Sequence, residues 1–553
     1  MHSYNFTNVI LTLQGNSNTD LAQVDTKLNM ILFTVIQSQV SLIKLRFTVN
    51  SGNTIAHIER QSSMAFKDNT LIGSAIIENC FEVNSGELAI INLKLEFEDQ
   101  YKRMISNLVS FGQFGGILQV TKTSIEDATI DGDKPLFGDE NANQISITKC
   151  QFIHLHLNDN NASNDSDYKI GEASVFVKDC KFIDVENALS GGIVNGLNQN
   201  GKLIVAGSTF QSSHNHHEKI QQEIKEREQI VSGDAEFIDD TFEDCISTDF
   251  GGAFSFISNG VLVINNCKFE RCISFGGKGG AIYVLGYTQH TINKCKFMSC
   301  VSSHTLLSEG GSIYIEGGEN QIRGILIKQS KSEIQTNKGA IISDSESRGG
   351  AIMARKWYKG SKIKDTAIIS SKAQTGGGIY ITDTNRFDVV HSKFRNNVAL
   401  SGGGGAIYAR DSILVQVSRT KFYNNVAFGC DMKRNLQFGV LQTNSNSNSN
   451  SNSDSNSNSD SNSDSNLNSN SNEKSNSLTD IRLDVLQDSI SNSGRPLTCI
   501  NGTCQYDRLD NISMDHLFCL PQHKWFHVQN LFAGSSFISL VVGFAIFFKL
   551  ELI

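Results

Sequence analysis

Two adjacent glycines followed by alternating apolar residues recur through this chain, as GGIVNG from 191, GGAFSF from 251, GGAIYV from 279, GGSIYI from 310, GGAIMA from 349, GGIYIT from 377 and GGAIYA from 404. Successive second glycines lie 60, 28, 31, 39, 28 and 27 residues apart. A fixed period of this size is the mark of a solenoid, in which each repeat buries its apolar face only against its neighbours. The 60 reads as two repeats with one degenerate member, and the 39 as one repeat carrying an insertion. A second word places a small or thiol residue two positions before a phenylalanine: KCQF, DCKF, GSTF, DDTF, NCKF, KCKF, HSKF and RTKF. Its phenylalanines are Phe152, Phe182, Phe210, Phe242, Phe269, Phe297, Phe394 and Phe422, a candidate structural ladder with one ring per coil. For Phe182, Phe242, Phe269 and Phe394 the second glycine follows by 10 or 11 residues, so the two words keep phase.

Within each period lie several short alternating runs and no 3.6-residue pattern, which predicts strands joined at corners rather than paired helices. Glycine suits such corners because it accepts φ > 0 and close backbone approach. Alternation in AIYV and SIYI sends Ile inward and its neighbours outward. Proline occurs only at Pro135, Pro496 and Pro521, as expected of a ladder in which every N–H is donated. With 553 residues of which 39% are hydrophobic, one long repetitive domain fits better than several globular ones. The net charge of -9, in mixed signs along the chain, recommends no nucleic-acid partner.

The segments FRNNVALSGGGGAIYA (394 to 409) and FYNNVA (422 to 427) resemble the paired FxxN and GGAI words of the polymorphic outer-membrane protein repeat, a right-handed parallel β-helix family of the pectin-lyase-like class. The resemblance is close over the Gly-Gly words and looser across residues 80 to 430. It implies an all-β, right-handed parallel β-helix with coils of about 28 residues. Three words depart from it, since FEDC, FERC and FMSC put Cys245, Cys272 and Cys300 where Asn397 and Asn425 stand elsewhere. The outer-membrane barrel that ends those family members has no counterpart here, so autotransport is not carried over.

Around the solenoid, assigned to 80–440, the chain divides by composition. Residues 1–79 read as an N-terminal cap or irregular coils, because a solenoid must cover its first apolar face. HNHHEKIQQEIKEREQI, between Phe210 and Val231, reads as a surface insertion. Residues 441–480 form a low-complexity linker, almost all Asn, Ser and Asp from Thr443 to Ser477, too polar to offset its ordering entropy. A juxtamembrane segment, 481–530, carries Cys499, Cys504 and Cys519. Residues 531–550 then form a single transmembrane helix: positions 531 to 548 hold no charge, and Trp525 and Phe526 sit where an interfacial anchor would. The first residues lack the basic n-region of a secretory signal, so either the true start lies upstream or export uses another route.

Candidate chemistry is sparse. Acid–base or calcium-assisted cleavage of acidic polysaccharides needs clustered carboxylates. The nearest features are Asp239-Asp240 and Asn18-Thr19-Asp20, while Glu243 and Asp244 read as solvated corner residues. His214, His216 and His217 could ligate a metal only on a polar insertion, and His154 and His156 lie two apart on one strand. No catalytic, cofactor-binding or metal residue and no cofactor is assigned. The basic run 355–364, RKWYKGSKIK with Trp357 and Tyr358, reads either as a ligand patch or as the insertion in the 39-residue interval. Cys150, Cys180, Cys267 and Cys295 share one motif position, and Cys245, Cys272 and Cys300 another. Stacked strands about 4.8 Å apart hold parallel side chains too far apart for the disulfide Cβ distance of about 3.8 Å, which favours free thiols. Asn5, Asn161, Asn164, Asn501 and Asn511 open N-glycosylation triplets. The resulting expectation is a single-pass membrane-anchored surface scaffold, adhesin-like and non-catalytic, whose partners are the membrane and glycans or surface proteins. The alternative is a carbohydrate-active enzyme, a lyase or hydrolase with a divergent site; a third reading is a piece of a larger surface protein.

Overall fold

The computed structural model describes residues 4–15, 22–25, 31–49, 54–73, 76–98, 103–131, 135–138, 141–158, 174–186, 201–215, 233–334, 346–358, 360–428, 439–440, 497–500 and 503–506. Every regular element among them is a β-strand. The strands coil into a parallel β-solenoid of about 12 turns with about 28 residues per coil.

One coil shows how the residues make the corners. Leu262–Asn265 runs along a long face, Lys268–Glu270 along a phenylalanine face, Ile273–Ser274 along a short face and Ile282–Leu285 along the face that follows Gly-Gly. Alternation puts Leu262, Ile264, Phe269, Ile282 and Val284 into the interior. At the first two corners a single residue turns left-handed, Asn266 at φ 55° and Arg271 at φ 53°. The same two positions carry Lys294 and Ser299 one coil later, so non-glycine residues make these bends. The coil is completed by Gly-Gly, where a Cβ on Gly280 would lie 2.1 Å from the Gly311 carbonyl oxygen of the next coil. Only a bare Cα fits there, which is why this word recurs.

Each coil hydrogen-bonds the next in parallel and in register. On the long face Ile264, Ile292, Ile322, Ile363, Val389 and Val417 follow one another as direct neighbours. This repetition merges the interior into one apolar core from Leu32 to Phe422.

Several boundaries differ from the sequence reading. Residues 1–79 already contain stacked parallel strands, with Gln39, Ser63 and Glu87 in one register. Their step is 24 residues, the separation spanned by the Leu45 N–H bond to Asn69 Oδ1. At the far end Leu497–Ile500 pairs with Ile407–Arg410, and Thr503–Tyr506 with Leu414–Ser418, so the backbone of Cys499 and Cys504 adds strands to the last coil. The GGIYIT word is also shifted by one: Ile352 pairs with Ile379, which sets Gly377 level with Gly350 and puts Gly378 where other coils have Ala or Ser. The added length of the 39-residue interval falls between Ile334 and Glu346, not at residues 355–364. Residues 216–232, 335–345, 441–480 and 531–550, on which the readings of a surface insertion, a linker and a transmembrane helix fall, lie outside the described residues; among the described residues no helix is long and apolar enough to cross a membrane.

Candidate functional site

The residues singled out from the sequence fall first into the wall of the core. All eight phenylalanines are buried, and Phe152, Phe182, Phe210, Phe242, Phe269 and Phe297 form a continuous stack with centroids 4.6 to 5.2 Å apart. Phe394 and Phe422 continue it at 5.2 Å. Between the two runs, Ile327 and Ile368 hold the register, in words without a phenylalanine.

The small residue two places before each ring has its own role. At that corner the backbone N–H of one coil points at the side chain of the equivalent residue in the next. Cys180 N–H donates to Ser208 Oγ at 3.2 Å, Ser208 N–H to Asp240 Oδ1 at 2.7 Å, and Ser392 N–H to Thr420 Oγ1 at 3.3 Å. A buried donor is thereby satisfied where the strand ladder is interrupted. Asp240 also accepts from Ile238 N–H at 3.0 Å. Burial pushes its carboxyl up to about 7, against the two N–H donors that favour the anion, with neighbouring Asp239 adding a little. Asp239 itself is the left-handed corner residue and accepts from Asn266 Nδ2 at 2.6 Å. The acidic pair therefore diverges, one carboxylate in the core wall and one at the surface.

At the second corner Asn397 donates through Nδ2 to the Ile368 carbonyl and Asn425 to that of Phe394. Cys245, Cys272 and Cys300 reach the corresponding carbonyls of Phe210, Phe242 and Phe269 with their thiols at 3.6 to 3.8 Å. Thiol thus replaces amide at one ladder position, which accounts for FEDC, FERC and FMSC. The eight cysteines from Cys80 to Cys300 are free and buried, and burial raises the Cys80 and Cys272 thiols far above their usual range.

Other candidates separate. His154 is a corner residue with φ 50°, so the residues around it do not alternate as in a plain strand; its Nδ1 meets Asp127 at 2.9 Å, while His156 pairs with Glu186. His214 lies on a strand paired with Ile246, and His216 and His217 lie outside the described residues. In the basic run Trp357 belongs to the core, donating its Nε1–H to the Ile315 carbonyl at 3.0 Å, whereas Tyr358 is exposed. Asn5 is exposed; Asn161, Asn164, Asn501, Asn511 and Asn18-Thr19-Asp20 lie outside the described residues. Glu243 and Asp244 are half-exposed at the surface, gathered by the Arg271 guanidinium. Among the described residues no three His, Cys, Asp or Glu side chains stand as a metal cluster.

A further set of titratable groups, which the sequence reading missed, lies on the outward side of the Gly-Gly face. Tyr283, Tyr314, Met353, Tyr380 and Tyr408 follow one another in register. The first four are buried although they point away from the core: Phe250 lies against Tyr283, Lys278 over Tyr283 and Tyr314, and Arg348 over Tyr380. On one flank Lys278, Glu309 and Arg348 stand on successive coils, and on the other Glu316 and Arg355. Arg348 reaches Glu309 at 3.3 Å and Glu346 at 2.6 Å; Glu316 meets Lys356 at 3.0 Å and the Tyr314 hydroxyl at 2.8 Å. Burial raises the Glu309 carboxyl, with Arg348 pulling the other way. Burial also opposes ionisation of Glu316, but Lys356, the Tyr314 hydroxyl and Arg355 outweigh it and hold its carboxyl below the usual range. Glu309 and Arg348, and likewise Glu316 and Lys356, thus find opposite partners one coil away. The recurrence of Tyr in the third place after Gly-Gly was the signal that could have found this layer. No family model matches the chain, and no curated protein or solved structure is significantly similar to it.

Proposed function

We propose that this chain is a non-catalytic surface scaffold: a right-handed β-helical rod of the polymorphic outer-membrane repeat type, set on the Asn/Ser linker and anchored by residues 531–550. The observation that carries the reading is the charge layout of the Gly-Gly face. Lys278, Glu309 and Arg348 are spread one per coil along the axis and neutralise one another, a pattern that ties coils together. Hydrolysis or elimination instead calls for carboxylates converging on one open cleft, and Asp239 and Asp240 point to different environments. Binding then falls to exposed side chains along the faces, the use to which a long solenoid surface lends itself.

Membrane extraction tests the anchor. The full chain should require detergent, while a chain truncated at Val528 should be released by carbonate; carbonate release of the full chain would overturn the anchored reading. A second reading, a carbohydrate-active enzyme, draws on the raised carboxyl of Glu309 beside Arg348. Release of unsaturated or reducing uronic acid from polygalacturonate, abolished by Glu309→Gln, would replace the scaffold with that enzyme.

A further inference from the structure

Tyr287 and Tyr358 are both more than two-fifths exposed, at 44% and 42%, whereas the tyrosines of the Gly-Gly face are packed away. They come from different coils, yet their ring centroids lie 6.5 Å apart with planes only 20° from parallel. Three features of the chain produce this meeting. The turn after Arg355 is longer than its counterparts and is pinned by the buried Trp357, which also packs on Phe387 at 5.2 Å. Tyr358 N–H donates to the Gly318 carbonyl at 2.9 Å, and its own carbonyl accepts from Ser361 N–H at 3.2 Å, so its backbone is held from both sides. The coil between the two tyrosines presents Gly317 and Gly318, at φ 86° and 72°, in place of side chains. A Cβ on Gly317 would lie 3.0 Å from Tyr287 Cδ1, so the bare glycine leaves room for the ring. Beside the pair, Gln321 donates to the Gly360 carbonyl at 2.8 Å, and a Cβ on Gly360 would lie 2.8 Å from Glu319 Oε1, which places an amide and a carboxylate two residues from Tyr358.

We propose that Tyr287 and Tyr358, with Glu319 and Gln321, form a binding platform for a neutral polysaccharide on this flank of the rod. The proposal rests on the surface-scaffold reading and names its ligand class. Two aromatic rings in mutual contact, one of them on a backbone held from both sides, offer faces on which the C–H side of a sugar ring packs, with little side-chain entropy to lose. The amide and carboxylate beside them can accept and donate to the hydroxyls that rim the same sugar. The platform is open rather than enclosed, and a small apolar ligand needs a cavity that removes most of its surface from water. A long chain of sugars instead gains by lying along the rod. Glu319 and Lys362, which lies in register with Gln321, balance in charge on this flank, which suits a neutral chain over a polyuronate, and the Glu319 carboxylate accepts hydroxyl donors from such a chain.

Binding of cellohexaose, mannohexaose and polygalacturonate to the detergent-solubilised full chain tests this, read by titration calorimetry beside thermal melts. One of the two neutral hexasaccharides should bind and polygalacturonate should not. Tyr287→Ala and Tyr358→Ala should each weaken binding at least tenfold with unchanged melting midpoints, Tyr358→Phe should retain it, and Phe114→Ala, an exposed aromatic on an earlier coil, should leave it unaltered. Binding that survives the double tyrosine variant, equal binding of polygalacturonate, or no binding of either neutral hexasaccharide would each overturn the platform. None of these results bears on membrane extraction, so the scaffold reading stands or falls separately.

Discussion

Replacing Asp240 with serine gives the sharpest test of how the corner ladder works. In the folded chain the carboxyl is 1% exposed and titrates near 7, against 3.8 for an unperturbed aspartate. A raised folded value means that the neutral acid is the form the fold prefers. Its contribution is therefore fully present below the unfolded value and disappears as pH rises through the folded one, in the window from about 4 to about 7. Three units at about 1.4 kcal/mol each amount to roughly 4 kcal/mol of stability lost across that window. Serine already occupies the same ladder position one coil earlier, where Ser208 Oγ accepts the Cys180 N–H and donates to the Ala206 carbonyl. In Asp240→Ser a hydroxyl takes over the Ser208 N–H, and the bond from Ile238 is lost at a cost of about 1 kcal/mol. The variant should accordingly be slightly less stable than the parent near pH 4 and more stable by a few kcal/mol at pH 7.5, with the curves crossing between. Urea unfolding at pH 4.5, 6.0 and 7.5 reads the difference, in which titrations shared by both chains cancel. Asp239→Asn, at the exposed neighbour, should change the profile little. If parent and Asp240→Ser show the same pH dependence, the buried carboxylate is not the ladder residue described.

Phe269→Ala should cost about 3 to 5 kcal/mol, since it opens a cavity in the stack between Phe242 and Phe297, each within 5 Å by ring centroid; a shift under 1 kcal/mol in urea would mean the ring is not buried. Asn397→Cys should be far better tolerated than Asn397→Ala, because a thiol serves this position in three coils, while alanine leaves the Ser371 N–H without its acceptor, a loss of about 1 to 3 kcal/mol. Equal destabilisation by the two would refute the ladder. Peptide-resolved alkylation under native conditions should leave Cys80, Cys150, Cys180, Cys245, Cys267, Cys272, Cys295 and Cys300 unmodified until denaturant is added, as their burial requires; labelling of Cys272 at the rate of a free peptide thiol would contradict it.

The sequence by itself determined what repeats and what must be buried. Two words at fixed separation dictate a coil of about 28 residues, because a backbone that turns at each glycine pair and each left-handed corner can only return to its starting direction at that interval. The same words mark the phenylalanine ladder and the thiol positions, since a parallel in-register stack brings identical residues together. Departures from the words were not legible. Ile327 and Ile368 fill the ladder without a phenylalanine, the 24-residue coils at the N-terminal end follow another step, and TGGGIY hides which glycine faces its neighbour.

What only the tertiary structure decided is which side chains meet across coils. Asp239 and Asp240 are adjacent in sequence, yet the left-handed bend between strands sends one to solvent and one into the wall. Glu309 and Arg348 are 39 residues apart and bond because one coil separates them. Tyr283, Tyr314 and Tyr380 point outward as alternation requires, and they are buried under Phe250, Lys278 and Arg348. Tyr287 meets Tyr358 because an intervening glycine pair and a longer turn let two coils approach at the surface. Period and phase are local properties that a linear pattern carries, whereas contact between coils depends on the three-dimensional path of the backbone at each corner and turn.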